Sequence, residues 1–409
     1  MKKYLFLLFL FLFTTGLTAE EVEFEFFPGE EFNITEKQDL RQRKNGRYQG
    51  FIYRETRTSL SRDDWDENGM DYSGWVYVFQ EMKRDSKLVA RRLEDSSSCE
   101  IRFSYNGAYH MDEDQYQPSL RGVPSFPSEP VSVGEKWRAY GERIVRVSGE
   151  AAYTKVPIYC EYLYEGIKSG GGGDFHSITA QYALRYRGED RSGDTNISNI
   201  DGSHKIEIRI PVDSPENIFM RDHIEEQYRM QNRDMITFSG VILTWFEAPV
   251  EYSSSQVEED VIRIFGKNED LREQSQEDLQ EGLDEELGVI VKREDEGLVL
   301  SIPNIHFIPD SAGILPDEKG RLDGIAEVLR RVPNITFLVR GHTVDVGSRE
   351  SQQILSEQRA MTIINELSER GIPENRFIYE GKGGLVPVDT NNTEEGRRNN
   401  RRVEIILLD

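Results

Sequence analysis

The spacing of hydrophobic and polar positions differs between the two halves of this chain. Up to about residue 255, the apolar residues fall into short runs between turn-forming clusters, and three of these runs are residues 75–79, 206–210 and 241–246. The middle run alternates strictly, which predicts a strand with one solvent-facing side. The outer two are apolar on both sides and predict buried strands. Residues 20–255 are therefore predicted to form a mainly β region, as one domain or two.

Residues 288–409 instead alternate strand-like and helix-like patterns. The run 299–307 predicts a strand, and a helix is predicted to begin at Asp317. Helical spacing gives this helix a core face made of Leu322, Ile325, Ala326 and Leu329.

A buried strand at 335–339 and a second helix at about 351–370 follow. The second helix has a predicted core face made of Ala360, Ile363, Ile364 and Leu367. Gly371 stands where a left-handed C-cap belongs, and further strands are predicted at 377–380 and 403–407. The sequence thus predicts a multidomain protein: a mainly β region, then an α/β domain of order βαβαββ with a mixed sheet.

The segment 256–287 has a different composition and is predicted to link the two regions. Residues 268–287 contain nine acids and a single arginine. Their apolar positions recur mostly at four-residue spacing, at Leu271, Leu279, Leu283 and Leu287. This pattern predicts a solvated linker helix whose apolar stripe rests on the C-terminal sheet.

The first nineteen residues predict a secretory signal. Lys2 and Lys3 precede an apolar core at 4–13, and residues 17–19 are a suitable cleavage site. Glu20 follows that site where a lipoprotein would have cysteine, and no later stretch is apolar enough for a spanning helix. We expect a periplasmic protein, with association to the outer membrane as the open alternative.

Composition removes several classes of function. A formal net charge of −24 argues against nucleic acid as a partner. Only Cys99 and Cys160 are present, and the sequence leaves open whether they pair. The six histidines are scattered, so we predict no catalytic residues, metal site or cofactor, and no enzyme. A wall-remodelling hydrolase that carries an anchor is disfavoured for want of a site.

Several separated motifs in the last part of the chain share one resemblance. They are Arg340-Gly-His-Thr, Leu355-Ser-Glu-Gln-Arg-Ala, Gly371-Ile-Pro, Gly381-Lys-Gly with Pro387, Gly396-Arg, and Asn400-Arg-Arg-Val-Glu-Ile. In this order and spacing, residues 288–409 resemble the OmpA-like domain found at the C-termini of OmpA and MotB proteins. The resemblance implies a mixed-sheet fold and a polar pocket that accepts the free end of a peptidoglycan stem peptide.

The resemblance assigns candidate residues to that pocket. Arg359 falls on the family's arginine, which would pair bidentately with a ligand carboxylate. It lies one helical turn before Ile363, on what we expect to be a solvent-facing shoulder of the helix. Further candidates for peptidoglycan contact are Thr343, Asp345, Asp310 and Asn400. Most of the closing cluster around Asn400 is expected to brace the last strand.

One position departs from the family. Where the family has Gly-His-Thr-Asp, this chain has Val344, and Asp345 comes one residue later. Neighbouring side chains in an extended segment point to opposite faces, so Asp345 is expected to face away from the pocket. Either the domain has relaxed or changed its ligand, or Asp345 substitutes locally for the missing acid.

Two arrangements of the whole protein remain open from the sequence. In the first, an exported envelope protein uses the C-terminal domain to stay near peptidoglycan while residues 20–255 bind an unidentified envelope protein. In the second, the N-terminal half is an outer-membrane β-barrel. Charged runs such as residues 81–85 favour the first arrangement.

Overall fold

The fold comes from a computed structural model. It describes residues 21–83, 90–147, 152–170, 173–188, 193–248, 253–265, 288–294, 297–303, 305, 307–308, 311–332 and 335–408. The predicted signal peptide (1–19) and the predicted linker helix (268–287) lie outside these residues. The helix α1 (Ser254–Phe265) occupies the start of the predicted linking segment 256–287, ahead of the stretch for which the linker helix was predicted.

The N-terminal half is built from strands. They are β1 (Glu31–Lys44), β2 (Arg47–Asp66), β3 (Gly69–Lys83), β4 (Arg91–Phe103), β5 (Tyr109–Met111), β6 (Leu120–Arg121), β7 (Lys136–Val145), β8 (Thr154–Gly170), β9 (Gly173–Arg187), β10 (Ile197–Pro211), β11 (Ile218–Met230) and β12 (Met235–Glu247). They pair antiparallel in the order β6-β7-β8-β9-β10-β11-β12-β1-β2-β3-β4-β5. Inward residues from all the long strands belong to one hydrophobic core, so the sheet curls around itself.

Burial along these strands tests the three predicted runs. The run 206–210 in β10 alternates buried isoleucines with more exposed polar residues, as predicted. The run 75–79 in β3 packs on both faces, also as predicted. The prediction for 241–246 in β12 was wrong on one side, because Leu243 and Trp245 are only half-buried. Trp245 lies beside Phe219 and Lys37 on the outer surface instead.

The segment that follows the predicted signal peptide also packs into the curled sheet. Val22 exchanges two backbone hydrogen bonds with Val131, each 2.9 Å. Phe24 stacks on Phe126, and Phe26 contacts Phe103. The acids between these residues face outward, so the alternation of this short segment matches one buried and one wet side.

The C-terminal half is a five-stranded mixed sheet with helices. Its elements are β13 (Ile290–Glu294), β14 (Gly297–Ile302), α2 (Lys319–Arg330), β15 (Thr336–Gly341), α3 (Arg349–Glu369), β16 (Phe377–Gly381), α4 (Glu394–Asn400) and β17 (Val403–Leu408). The strand order is β13-β14-β17-β15-β16, and among these five described strands β15 and β16 form the parallel pair. The predicted order βαβαββ therefore lacked the strand β13 and the short helix α4.

Both faces of this sheet are covered, which explains its continuous apolar strands. Alternate residues such as Phe337 and Ile405 face α2 and α3. The residues between them face the N-terminal half and form a second core with it. That interdomain core consists of Val299, Leu338, Ile378, Ile406 and Leu408 from one side and Tyr77, Phe79 and Leu93 from the other.

Polar contacts extend this interface. Arg91 and Arg92 of β4 pair in parallel with Ile378 and Tyr379 of β16, which joins the two sheets. Glu55 is fully buried and accepts hydrogen bonds from Arg57 and Arg91. Arg57 also donates to the Thr336 hydroxyl across the interface. The two regions are thus in direct contact as well as joined by the linker.

The described residues also show the state of the two cysteines and bear on membrane-spanning helices. Cys99 and Cys160 are both free and buried, and burial raises the pKa of each thiol to about 12. No helix in the described ranges is both long and apolar enough to cross a membrane.

Candidate functional site

A cleft of about 1090 Å³ opens where the carboxyl end of β15 meets the first turns of α3 and the helix α4. Its described lining is Ile305, Phe307, Thr343, Val344, Val346, Ser351, Gln352, Ile354, Leu355, Gln358, Arg359, Glu394, Arg398 and Arg401. Three of the predicted positions, Thr343, Val344 and Arg359, are therefore brought together.

Arg359 forms the floor of the cleft. It belongs to the buried face of α3 with Ala360 and Ile363, and only 7% of it is exposed. The expected solvent-facing shoulder was therefore wrong. The guanidinium carbon lies 4.7 Å from the centre of the Phe307 ring. This cation–π contact places the positive charge of Arg359 beside the apolar surface of the ring.

Thr343 supplies a buried hydroxyl beside this floor. Its backbone N–H donates to the Gly383 carbonyl at 2.8 Å, which fixes the loop after β15. Its Oγ1 is buried and has no hydrogen-bond partner among the described residues. A buried hydroxyl without a partner is costly, so a ligand atom that bonds to it would be stabilised there.

Val344 and Asp345, the two residues at and after the expected acid position, lie in different places. Val344 lines the cleft, whereas Asp345 is exposed and is not part of the lining. Asp345 Oδ1 accepts a hydrogen bond of 3.1 Å from Gln352 Nε2. Gln352 Oε1 in turn accepts from the Gly384 N–H at 3.2 Å. Asp345 thereby helps to join the loop after β15 to the loop after β16.

Two glycines of the motifs allow α3 to lie close to the sheet edge. A Cβ on Gly341 would lie 2.1 Å from the Ser356 carbonyl oxygen, and one on Gly381 would lie 2.4 Å from the Ser356 hydroxyl. Ser356 Oγ accepts the Gly383 N–H at 3.0 Å and is fully buried. Glycine is needed at both positions because α3 lies too close to the sheet edge for a Cβ. This close packing of α3 places Arg359 at the cleft.

Other motif residues brace the strand ends instead of lining the cleft. His342 Nε2 lies 3.0 Å from Glu404 Oε2, and Arg402 Nε donates to Glu404 Oε1 at 2.7 Å. Burial would raise the pKa of Glu404, but its contacts with His342 and Arg402 hold that pKa at about 2. Burial lowers the pKa of His342. This cluster keeps the closing motif folded around a buried carboxylate.

Besides Asp345, the predicted site residue Asn400 lies outside the cleft lining. Asn400 is 1% exposed, and its amide bonds to the loop 388–391 through the Val388 and Asp389 N–H groups and the Asp389 carbonyl. Because these bonds occupy the amide, Asn400 orders that loop, and its prediction as a ligand contact is corrected. Asp310 lies outside the described residues.

The helix α4 adds charged residues that were not predicted as part of the site. Glu394 Oε2 accepts from Arg397 at 2.8 Å, and its Oε1 accepts from Arg401 at 3.1 Å. These bonds lower the pKa of Glu394. Arg398 lines the cleft and is exposed. The Thr393 N-cap and the two acids after it were the readable signal for this helix.

A second group of buried charges lies inside the N-terminal sheet. His204 Nδ1 is 2.7 Å from Asp222 Oδ2, and its Nε2 is 3.2 Å from Glu226 Oε1. Arg143 Nε also lies 3.2 Å from Glu226 Oε1. Burial opposes the charge on His204, but its hydrogen bond to Asp222 and the nearby Glu226 carboxylate raise its pKa overall. Nothing in the sequence patterns indicated this cluster.

The C-terminal half is thus a mixed α/β domain with a cleft at one edge of its sheet, and Arg359 forms the floor of that cleft. Residues 306–401 match the model of the OmpA family, so this part of the chain is an OmpA-family domain. The resemblance predicted from the motifs is confirmed. The N-terminal half has no family match.

Several known proteins are similar to this C-terminal part. The probable lipoprotein YiaD of Escherichia coli is 36% identical over 121 residues, which are 29% of this chain and 55% of that protein. Outer membrane protein A of Bordetella avium is 38% identical over 99 residues, 24% of this chain and 51% of that protein. The peptidoglycan-binding protein ArfA of Mycobacterium tuberculosis is 34% identical over 103 residues, 25% of this chain and 32% of that protein. The chain spans about half the length of the first two relatives and a third of the last.

Proposed function

We propose that this chain is a non-enzymatic envelope protein that associates with peptidoglycan through the C-terminal cleft. The observation that carries the proposal is Arg359, held on the Phe307 ring at the floor of an open cleft. A fixed guanidinium is suited to bidentate binding of a carboxylate, and peptidoglycan stem peptides carry several. One relative is itself named a peptidoglycan-binding protein, which supports the same ligand.

The N-terminal half would then be positioned near the wall, in the periplasm. Its outer strands carry exposed aromatic and charged side chains, such as the cross-strand pair Tyr140 and Tyr159, whose rings lie 4.7 Å apart. We propose that this surface contacts another envelope protein. The two halves pack against each other through their sheet faces. This interdomain core would hold the surface at a fixed distance from the cleft.

The direct test is sedimentation of the mature chain, residues 20–409, with purified insoluble peptidoglycan. Arg359→Ala should abolish the wall-bound fraction, since the carboxylate loses its bidentate partner. The exposed Arg349 on the same helix α3 does not line the cleft, and Arg349→Ala is the matched control that should bind like the wild type. Loss of the cation–π contact with Phe307 costs about 0.5–2 kcal/mol, so the variant should remain folded.

Equal sedimentation of the wild type and Arg359→Ala would contradict the proposal. Circular dichroism of both variants shows whether a loss of binding reflects unfolding.

A further inference from the structure

The cleft is positively charged in a strongly acidic protein. The whole chain carries a formal net charge of −24. The charged residues of the described cleft lining are three arginines and one glutamate: Arg359, Arg398, Arg401 and Glu394. This local reversal of sign favours anionic ligands, because low-dielectric walls strengthen the field inside a cleft.

The arginines of helix α4 differ in whether they form ion pairs within the protein. Glu394 is engaged at both carboxylate oxygens, by Arg397 and by Arg401. The side chain of Arg398 forms no ion pair within the described ranges of the chain. Of the arginines at the rim, Arg398 is therefore the one whose charge is directed to the cleft and not to Glu394.

Arg359 and Arg398 lie on different elements of the same cleft. Arg359 is on α3 at the buried floor, and Arg398 is on α4 at the exposed rim. The wall near them is apolar, with Val344 half-buried and Val346 and Ile354 exposed. Two separated guanidinium groups beside an aliphatic wall match a peptide that presents two carboxylates and aliphatic carbon between them.

We propose that Arg398 is a second carboxylate-binding residue and that the cleft recognises stem peptides through two carboxylates, one at Arg359 and one at Arg398. This inference rests on the proposed function and names the chemical feature of the stem peptide that the cleft selects.

The test measures equilibrium affinity of the mature chain for a synthetic stem peptide that ends in a diamino acid. The peptide is compared with analogues in which one carboxylate at a time is converted to the neutral amide. Arg398→Gln should weaken binding of the all-carboxylate peptide about tenfold, as expected for loss of one charge-assisted hydrogen bond. For one amidated analogue, Arg398→Gln and the wild type should bind equally.

The neighbouring arginine provides a matched control. Arg397 is on the same helix, pairs with Glu394 and does not line the cleft. Arg397→Gln should retain the wild-type preference for the all-carboxylate peptide. A preference that survives unchanged in Arg398→Gln would overturn the inference, even if Arg359→Ala abolishes all binding. A wild-type chain that binds none of the peptides would contradict the proposed function itself.

Discussion

At the scale of single residues, Val344 departs from the Gly-His-Thr-Asp motif that the family resemblance predicts. It contributes apolar surface at the position where the family has an acid, and Asp345 next to it is bonded to Gln352 outside the lining. Under the proposed function, a stem peptide that ends in a diamino acid would meet two arginines but would find no carboxylate for its ammonium at this position.

Val344→Asp should restore that contact. We expect the full mature chain to bind diaminopimelate-type stem peptides at least about tenfold more tightly after this substitution, because a charge-assisted hydrogen bond is gained. Asp345→Ala is the control and should change the affinity little. Titration of both variants with the same peptide checks this. Binding by the unmodified chain that is lost in Asp345→Ala would instead show that Asp345 acts as the acid.

The elements of the C-terminal domain were predicted better than their surroundings. The periodicity of Leu322, Ile325 and Leu329 placed α2 correctly, since all three are buried. The second helix was also placed correctly, with the left-handed Gly371 just past its end. Local spacing is enough for such helices because one buried face sets the pattern.

Contacts between distant segments could not be read in the same way. The burial of Arg359 depends on Phe307, which is fifty-two positions earlier in the chain. The interdomain core depends on β3 and β4 meeting a sheet more than two hundred residues later. Leu338 and Ile378 look like ordinary core residues in sequence, and only the fold shows that they face another domain.

The strands β7, β10 and β11 bring His204 together with Asp222, Glu226 and Arg143, with the Tyr182 ring stacked 4.1 Å away. Because the folded-state pKa of His204 is raised, its contribution to stability is fully present below the unfolded value of about 6.5. That contribution is lost as the pH rises through the raised folded value.

We therefore expect the melting temperature of the wild type to fall over this range above pH 6.5. His204→Gln should remove that dependence while it lowers stability at acidic pH. His342 has a lowered pKa and acts in the other direction, below pH 6.5, so the two histidines occupy different windows. Identical pH profiles for the wild type and His204→Gln would exclude this role.

At the scale of the whole molecule, the interdomain core holds the two halves together in addition to their covalent connection. Tyr77, Phe79 and Leu93 cover apolar residues of the C-terminal sheet that would otherwise be exposed. We predict one cooperative unfolding transition for the mature chain in calorimetry. Two resolved transitions would show that the halves fold independently.

Phe79→Ala should lower the free energy of unfolding by about 3–5 kcal/mol, the range for removal of a large buried side chain. Tyr140 is 79% exposed on the N-terminal sheet. Tyr140→Ala is the matched aromatic control and should change stability by about 0.5 kcal/mol or less.

We propose above all that the cleft floored by Arg359 binds peptidoglycan stem peptides. The most direct measurement is a calorimetric titration of residues 20–409 with soluble stem peptides released from peptidoglycan of the same organism. We predict saturable binding at one site per chain, which is absent in Arg359→Ala and retained in Arg349→Ala. Absence of saturable binding in the wild type, or binding that Arg359→Ala leaves intact, would contradict it.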